Sequence, residues 1–469
     1  MDNSAIQNII TNTTPLNFIT VLVILAAFFL LMNVRYLKLP STIGLMILAL
    51  SMSLFILFGE YIFSALLDLS QGVMQKFEFE EVLFQVMLSF LLFAGALEMN
   101  LHKLGEEKWM ILILATVGVM ISTFVVGTTM FYVLPVVNLQ VEYIYCLLFG
   151  ALISPTDPIA VLAMIKKSHV SKNLESQIAG ESLFNDGIGV VVFTTIMAII
   201  TSTAGGHGEA AQHGLFIGDI FGVHDKSTVL GVSMLFSQEV IGGIALGALI
   251  GYIGLWLLIV IPNEYTEIEV LVTLSMVMGG ATIAHMIHVS GPLAMVVMGL
   301  FVGNQGRSAK LSDVAGEYVY KFWHLMDEAM NAILFILIGM QILIIEWSFG
   351  FILAALIAIA VVLLGRFLGV SIPTTFYRLN KKVPKYTIRI LTWSGLRGGI
   401  SVALALSLAE LLRKGGVELS ASRMETVDLI VVMTYCIVLF SIVVQGLTVG
   451  KLFAKAENND VEEETTAAE

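Results

Sequence analysis

Charge is what this sequence lacks most. Of its 469 residues 13% are charged, against 57% hydrophobic, and the mean hydropathy is +0.91. A water-soluble fold of this length needs far more polar surface, so the composition excludes a soluble enzyme and predicts an all-α polytopic membrane protein. Basic residues are scarcer than acidic ones, 24 Lys and Arg against 36 Asp and Glu, and the net charge of −12 argues against a nucleic-acid partner. Cysteine is nearly absent. Cys146 and Cys436 lie in apolar runs and read as packed thiols, which excludes a disulfide framework. Met1–Pro15 contains no Lys or Arg, so it has no basic n-region and does not read as a cleaved signal.

What is present is a succession of apolar runs. About thirteen are long enough to cross a hydrocarbon core of ~30 Å at ~1.5 Å per residue. Their centres fall near Ile24, Leu48, Leu91, Met120, Leu148, Asp186, Leu249, Met276, Met295, Ile336, Ala358, Val402 and Leu439. The ninth, Pro292–Val302, is short and bounded by glycine, and Tyr61–Leu69 is amphipathic enough to lie in the interface. Loop charge sets the orientation. With the N-terminus outside, seventeen Lys and Arg fall in loops on the cytoplasmic side, including Arg378, Lys381, Lys382, Lys385 and Arg389, and five fall outside. The cell membrane is the predicted location, with the C-terminus in the cytoplasm. The transmembrane region is expected over residues 1–456, followed by an acidic, disordered tail at 457–469. The outer loop carries His207, His213 and His224 at irregular spacing, which reads as solvated surface. His285 and His288 share a helix face without a third ligand, so they read as packed or interfacial.

Three carboxylates interrupt the apolar pattern at Ser154–Asp186: Asp157, Glu181 and Asp186. Each costs roughly 2.5–3.5 kcal/mol or more at bilayer depth. Asp157 lies nine residues before Lys166 and Asp186 thirteen after Asn173, or about 13 and 20 Å of helix, so both approach mid-membrane from one side. Pro155 and Pro158 bracket Asp157 and predict a broken helix whose backbone groups line a cavity. Carbonyls, hydroxyls and carboxylates together suit an alkali cation. Ser182 and Asp186 are four apart on one helix face, and Glu181 and Asn185 on the adjoining one. Gly180, Gly187 and Gly189 allow close helix approach. Against these acids stand two basic residues within apolar runs, Arg366 and Arg397. A carboxylate left without a partner takes up a proton or a cation, and not both, which is the core of antiport.

A second interruption lies at Thr392–Ser401, with three glycines and two serines at mid-span. By span count the fifth span runs inward and the twelfth outward. Broken helices in corresponding positions predict inverted repeats of six helices, about 16–204 and 266–456, joined by a connector near 230–261. Arg397 is then expected to neutralise the carbonyl ends of the broken helices.

The run Gly180-Glu181-Ser182-Leu183-Phe184-Asn185-Asp186, the Thr156-Asp157-Pro158 break and Ser394-Gly395-Leu396-Arg397-Gly398 resemble the bacterial NhaP and animal NHE sodium/proton antiporters of the monovalent cation:proton antiporter group. Phe322-Trp323, Asn331 and Leu337-Ile338-Gly339-Met340 resemble that family's tenth span. The resemblance implies a homodimer of thirteen-span protomers, each with a dimerisation domain and a mobile six-helix core that works as an elevator. It implies no cofactor. The transported Na+ or Li+ and the proton would bind at Asp186, with Ser182 as a hydroxyl ligand, Thr156 as a backbone-carbonyl ligand and Asp157 acting directly or through water. Glu181 would pair with Arg366, and Arg397 would serve the second helix break. Asn185 replaces the second aspartate of electrogenic relatives and implies electroneutral one-for-one exchange. The short tail implies a bacterial protein. Potassium/proton exchange is the rival within the class. An intramembrane aspartyl protease using Asp157 and Asp186 has no use for two buried arginines and lacks a Gly-x-Gly-Asp stretch.

Overall fold

A computed structural model describes residues 11–59, 67–74, 87–165, 172–203, 229–260, 266–308, 313–378 and 386–453. Within these ranges the chain is almost entirely helical. The elements in order are α1 (Pro15–Met32), α2 (Ser41–Phe58), α3 (Leu88–Glu98), α4 (Leu101–Ile113), α5 (Val119–Val133), α6 (Tyr143–Ile153), α7 (Ile159–Ile165), α8 (Lys172–Thr203), α9 (Val229–Val260), α10 (Thr266–Met286), α11 (Gly291–Ser308), α12 (Asp313–Met340), α13 (Phe349–Arg378), α14 (Thr387–Trp393), α15 (Gly399–Lys414) and α16 (Ala421–Phe440).

Each predicted span centre falls inside one of these helices. Among the described residues nine helices are long and apolar enough to cross a membrane, and Leu88–Glu98, Tyr143–Ile153 and Gly291–Asn304 are shorter apolar helices. The brevity of α6, α7 and α14 has one cause, the interruptions at 154–158 and 394–398. The predicted ninth span is an 18-residue helix, α11. Most of the amphipathic stretch near Tyr61, the histidine-bearing outer loop and the acidic tail lie outside the described residues.

Local chemistry explains several helix ends. Asn100 caps α4 by accepting from the His102 and Lys103 amides at 2.9 and 3.4 Å. The buried Asn33 amide holds Leu39 from both sides, donating to its carbonyl and accepting from its amide. That fixes the left-handed Lys38 (φ 55°) between α1 and α2. His288 (φ 52°) ends α10 in the same way; its side chain and that of His285 are exposed, with ring centroids 6.3 Å apart.

The helices sort into two packed groups. One contains α4–α8 and α13–α16, the other α1–α3 and α9–α12. The two meet along α8, whose apolar window is 78% buried against 22% for α1. In the second group Trp323 on α12 is fully buried, donates its indole N–H to Thr273 Oγ1 at 2.9 Å and packs against Phe90 and Phe93.

In the first group α13 crosses the α4–α5 helix at paired glycines. A Cβ on Gly369 would lie 2.7 Å from the Gly118 carbonyl oxygen, and one on Gly118 would lie 2.9 Å from that of Gly369. Backbone against backbone leaves no side chain that can yield. Gly369→Val is therefore expected to destabilise the protein by about 1–3 kcal/mol, the usual cost of overpacking. A lowered midpoint of thermal unfolding in detergent checks this, with Gly279→Ala as the control because nothing lies within 4 Å of that position.

Candidate functional site

The two interrupted helices cross at their breaks. Between α6 and α7 the chain is extended through Thr156 and Asp157, and Asp157 forms an antiparallel bridge with Leu396, which lies between α14 and α15. The Asp157 amide donates to the Leu396 carbonyl at 2.8 Å. Prolines at 155 and 158 remove two amides from this stretch, so fewer donors need partners there.

Several of the remaining backbone groups at the breaks also have partners. Arg397 Nη1 donates to the carbonyls of Ser154 (2.5 Å) and Pro155 (2.9 Å). The Thr156 amide donates to Asn185 Oδ1 at 3.1 Å. Ser401 Oγ donates to the Leu152 carbonyl at 2.7 Å. On the other break, the Arg397 amide donates to Ser441 Oγ at 2.8 Å, and Gln445 Nε2 donates to the Trp393 carbonyl at 3.2 Å. A broken helix persists at this depth only where such partners exist.

Two glycines of the second break are dictated by close approach. A side chain at Gly395 would overlap the Arg366 guanidinium, and one at Gly398 would overlap the Asp157 side chain. Sequence alone suggested glycine as a loosener of the helix. In the structure these two glycines clear room for the charged groups.

Charge is held by a second layer of contacts. Arg366, on α13, grips Glu181, on α8, through two bonds: Nη1 to Oε1 at 2.5 Å and Nη2 to Oε2 at 2.7 Å. Both side chains are buried, and such a fork is the strong form of the pair. Nε and Nη2 also donate to the Leu391 carbonyl on α14 at 3.2 and 2.9 Å. One arginine thus ties three helices together. Asn185 spans the gap between the acid and the first break, with Nδ2 donating to Glu181 Oε1 (3.1 Å) and to Thr156 Oγ1 (2.8 Å). Ser182 Oγ lies 3.0 Å from Thr156 Oγ1.

Asp186 differs from these groups. It is 7% exposed, and among the described residues none donates a hydrogen bond to it. Its charged neighbours are Asp157, Glu181 and Arg397. Counted together, the crossing holds three carboxylates and two guanidinium groups. One monovalent cation or one proton balances it. Groups of three or more His, Cys, Asp and Glu that could hold a resident metal are absent among the described residues.

Several contributors were not foreseen from sequence. Ser441 and Gln445 lie on a π-helical turn after α16, a distortion that side-chain periodicity does not reveal. Leu391 acts through its carbonyl, which no residue type announces.

Comparison with known proteins agrees with this architecture. Residues 23–455 match the family described as "Sodium/hydrogen exchanger, transmembrane". The chain is 43% identical to the Na+/H+ antiporter NhaP of Pseudomonas aeruginosa, over 93% of this chain and 96% of that one. It is 31% identical to the Na+/H+ antiporter NhaH of Halobacillus dabanensis, over 93% and 97%. The sodium proton antiporter MjNhaP1 of Methanocaldococcus jannaschii shares the fold with a TM-score of 0.69 at 20% identity, covering 94% of this chain and 98% of that one. The chain therefore belongs to the sodium/hydrogen exchanger family and is an Na+/H+ antiporter of the NhaP type.

The Glu181–Arg366 pair generates a prediction. Arg366→Gln leaves a buried carboxylate without its counter-charge and should cost about 3–5 kcal/mol. The double variant with Glu181→Gln should cost less than the two single losses combined. Unfolding in detergent measures all three; strictly additive losses would count against a coupled pair.

Proposed function

We propose that the protein exchanges one Na+ for one proton at Asp186, with Li+ as an alternative cation. The observation that carries this reading is the contrast within the crossing. Glu181, Arg366 and Arg397 are committed to specific partners, while Asp186 has no described hydrogen-bond donor. A buried carboxylate in that position holds a proton or a cation. The cation's remaining ligands would be Ser182, Thr156 and Asp157. Glu181, Asn185, Arg366 and Arg397 hold the frame. Asn185 is neutral where a second aspartate would add charge, and the excess of one carboxylate over the guanidinium groups supports one cation for one proton.

Transport then proceeds by alternating access. The helix group that contains both breaks moves as an elevator against the other group, which forms the interface of a homodimer. The N-terminus lies outside and the C-terminus in the cytoplasm, as the loop charges require. The chain is thereby read as thirteen spans, two inverted repeats (16–204 and 266–456) around a connector helix, and it acts as a transporter without a cofactor. K+ remains the competing cation, and comparison of Na+, Li+ and K+ in the same sealed vesicles separates the two.

Two outcomes test the assignment in proteoliposomes. Asp186→Asn should abolish Na+-driven proton flux in a protein that still folds; substantial flux would sink the role of Asp186. In the wild type, proton and cation compete for one carboxylate. Over the acidic range where the proton dominates, the KM for Na+ should fall about tenfold per unit rise in pH, then level off. A KM independent of pH throughout would mean that the two ions do not share a site.

A further inference from the structure

One half-buried carboxylate plays no part in the exchange site. Glu239 lies in the third turn of α9, and Thr194 Oγ1 on α8 donates to its Oε2 at 2.7 Å. Thr194 is eight residues past Asp186 on the same helix, about 12 Å along the axis.

This hydrogen bond joins the two helix groups. The other side-chain bonds described above stay inside one group: Glu181 with Arg366 and Asn185 with Thr156 in the first, Trp323 with Thr273 in the second. The Leu101 amide at the start of α4 also crosses the boundary, donating to Asn304 Oδ1 on α11 at 2.6 Å; several other contacts along it are apolar. Leu293 fills the space over Gly187, Leu334 that over Gly399, and Leu183 lies 3.8 Å from where a Cβ on Gly95 would sit.

Glu239 is anchored on its own side. Its carbonyl accepts from the Ser290 amide at 3.2 Å, and Gln238 Nε2 donates to the His288 carbonyl at 3.3 Å. Gly242 and Gly243 admit Val289 and Ser290 against the α9 backbone. The carboxylate thus belongs to a stretch clamped by the α10–α11 turn, while its donor rides on α8.

Sliding α8 by one turn in either direction removes that donor. One turn earlier on the helix lie Val190 and Val191, and one turn later Met197 and Ala198. None has a side-chain N–H or O–H, so the carboxylate faces an apolar surface and loses its hydrogen bond.

We propose that Thr194 and Glu239 form a latch between the two helix groups, which holds the arrangement seen here and must open in each transport cycle. The proposal rests on the reading in which one group moves against the other. Thr194 and Glu239 are positioning residues: they act on the conformation and not on the ion.

Thr194→Val keeps the shape and deletes the hydroxyl; Glu239→Gln deletes the charge. Each should raise the maximal Na+/H+ exchange rate in proteoliposomes by roughly threefold or more, because a hydrogen bond of the resting state is lost or weakened. The KM for Na+ should stay within about twofold, because Asp186 is untouched. Thr194→Ser should behave as wild type, and the double variant should gain no more than the larger single effect. Rates within twofold of wild type for both single variants, or gains that multiply in the double variant, would overturn the latch. A third measurement tests the underlying motion. In a Cys146→Ala/Cys436→Ala background, Thr194→Cys/Glu239→Cys is bridged by a short bifunctional methanethiosulfonate. Exchange should stop and return on reduction. Full exchange by fully bridged protein would overturn the moving-group reading. Absence of Na+-dependent flux in the wild type would overturn the function itself.

Discussion

A backbone amide or carbonyl that leaves a helix inside a bilayer has no water to bond to. That constraint governs this molecule. Breaking a helix at 154–158 frees polar groups that only protein can satisfy, and a second break, at 394–398, supplies part of the answer. The bridge from the Asp157 amide to the Leu396 carbonyl and the bonds from Arg397 to the Ser154 and Pro155 carbonyls use each break to complete the other. Neither interruption is sustainable alone. The crossing is therefore a single unit built from residues more than two hundred positions apart, which is why removing one partner is expected to disturb the whole.

The same logic separates the three carboxylates. Glu181 is fixed by the Arg366 fork, and Asn185 extends its influence to Thr156. Asp157 contributes its amide to the frame and keeps its side chain at a partly exposed position against Gly398. Asp186 is buried, and among the described residues none donates a hydrogen bond to it. Rigidity around the site and freedom at one carboxylate come from the same set of contacts. The sequence places all three acids within thirty residues, but only the hydrogen bonds distinguish an anion committed to an arginine from one that no described donor reaches.

Much of this was legible from residue types. Hydropathy located the helices, because every span must bury its backbone bonds and present apolar side chains over a fixed thickness. The proline pair marked the first break, and a glycine-serine run marked the second. Two arginines within apolar runs announced that buried acids had counter-charges. What stayed hidden depends on three-dimensional register. The Asp157–Leu396 bridge links two stretches with no shared pattern. The Leu391 carbonyl is available to Arg366 because of where α14 ends, not because residue 391 is leucine. The Gly118–Gly369 contact lies between glycines that, within either helix, look no different from many others.

The Thr194–Glu239 bond extends this reasoning from the crossing to the boundary between the two helix groups. An elevator needs a surface that slides, and leucines packed over glycines supply one at low directional cost. A wholly apolar boundary, however, gives no preferred stopping point, because apolar contact is non-directional. Hydrogen bonds are directional and fail within about an ångström of displacement. In the proposed elevator, a side-chain carboxylate–hydroxyl pair beside leucine–glycine contacts defines a rest position without roughening the rest of the path. Thr194 lies on α8, the helix that carries Asp186, so in the proposed elevator the position of the ion site and that of the latch cannot vary independently.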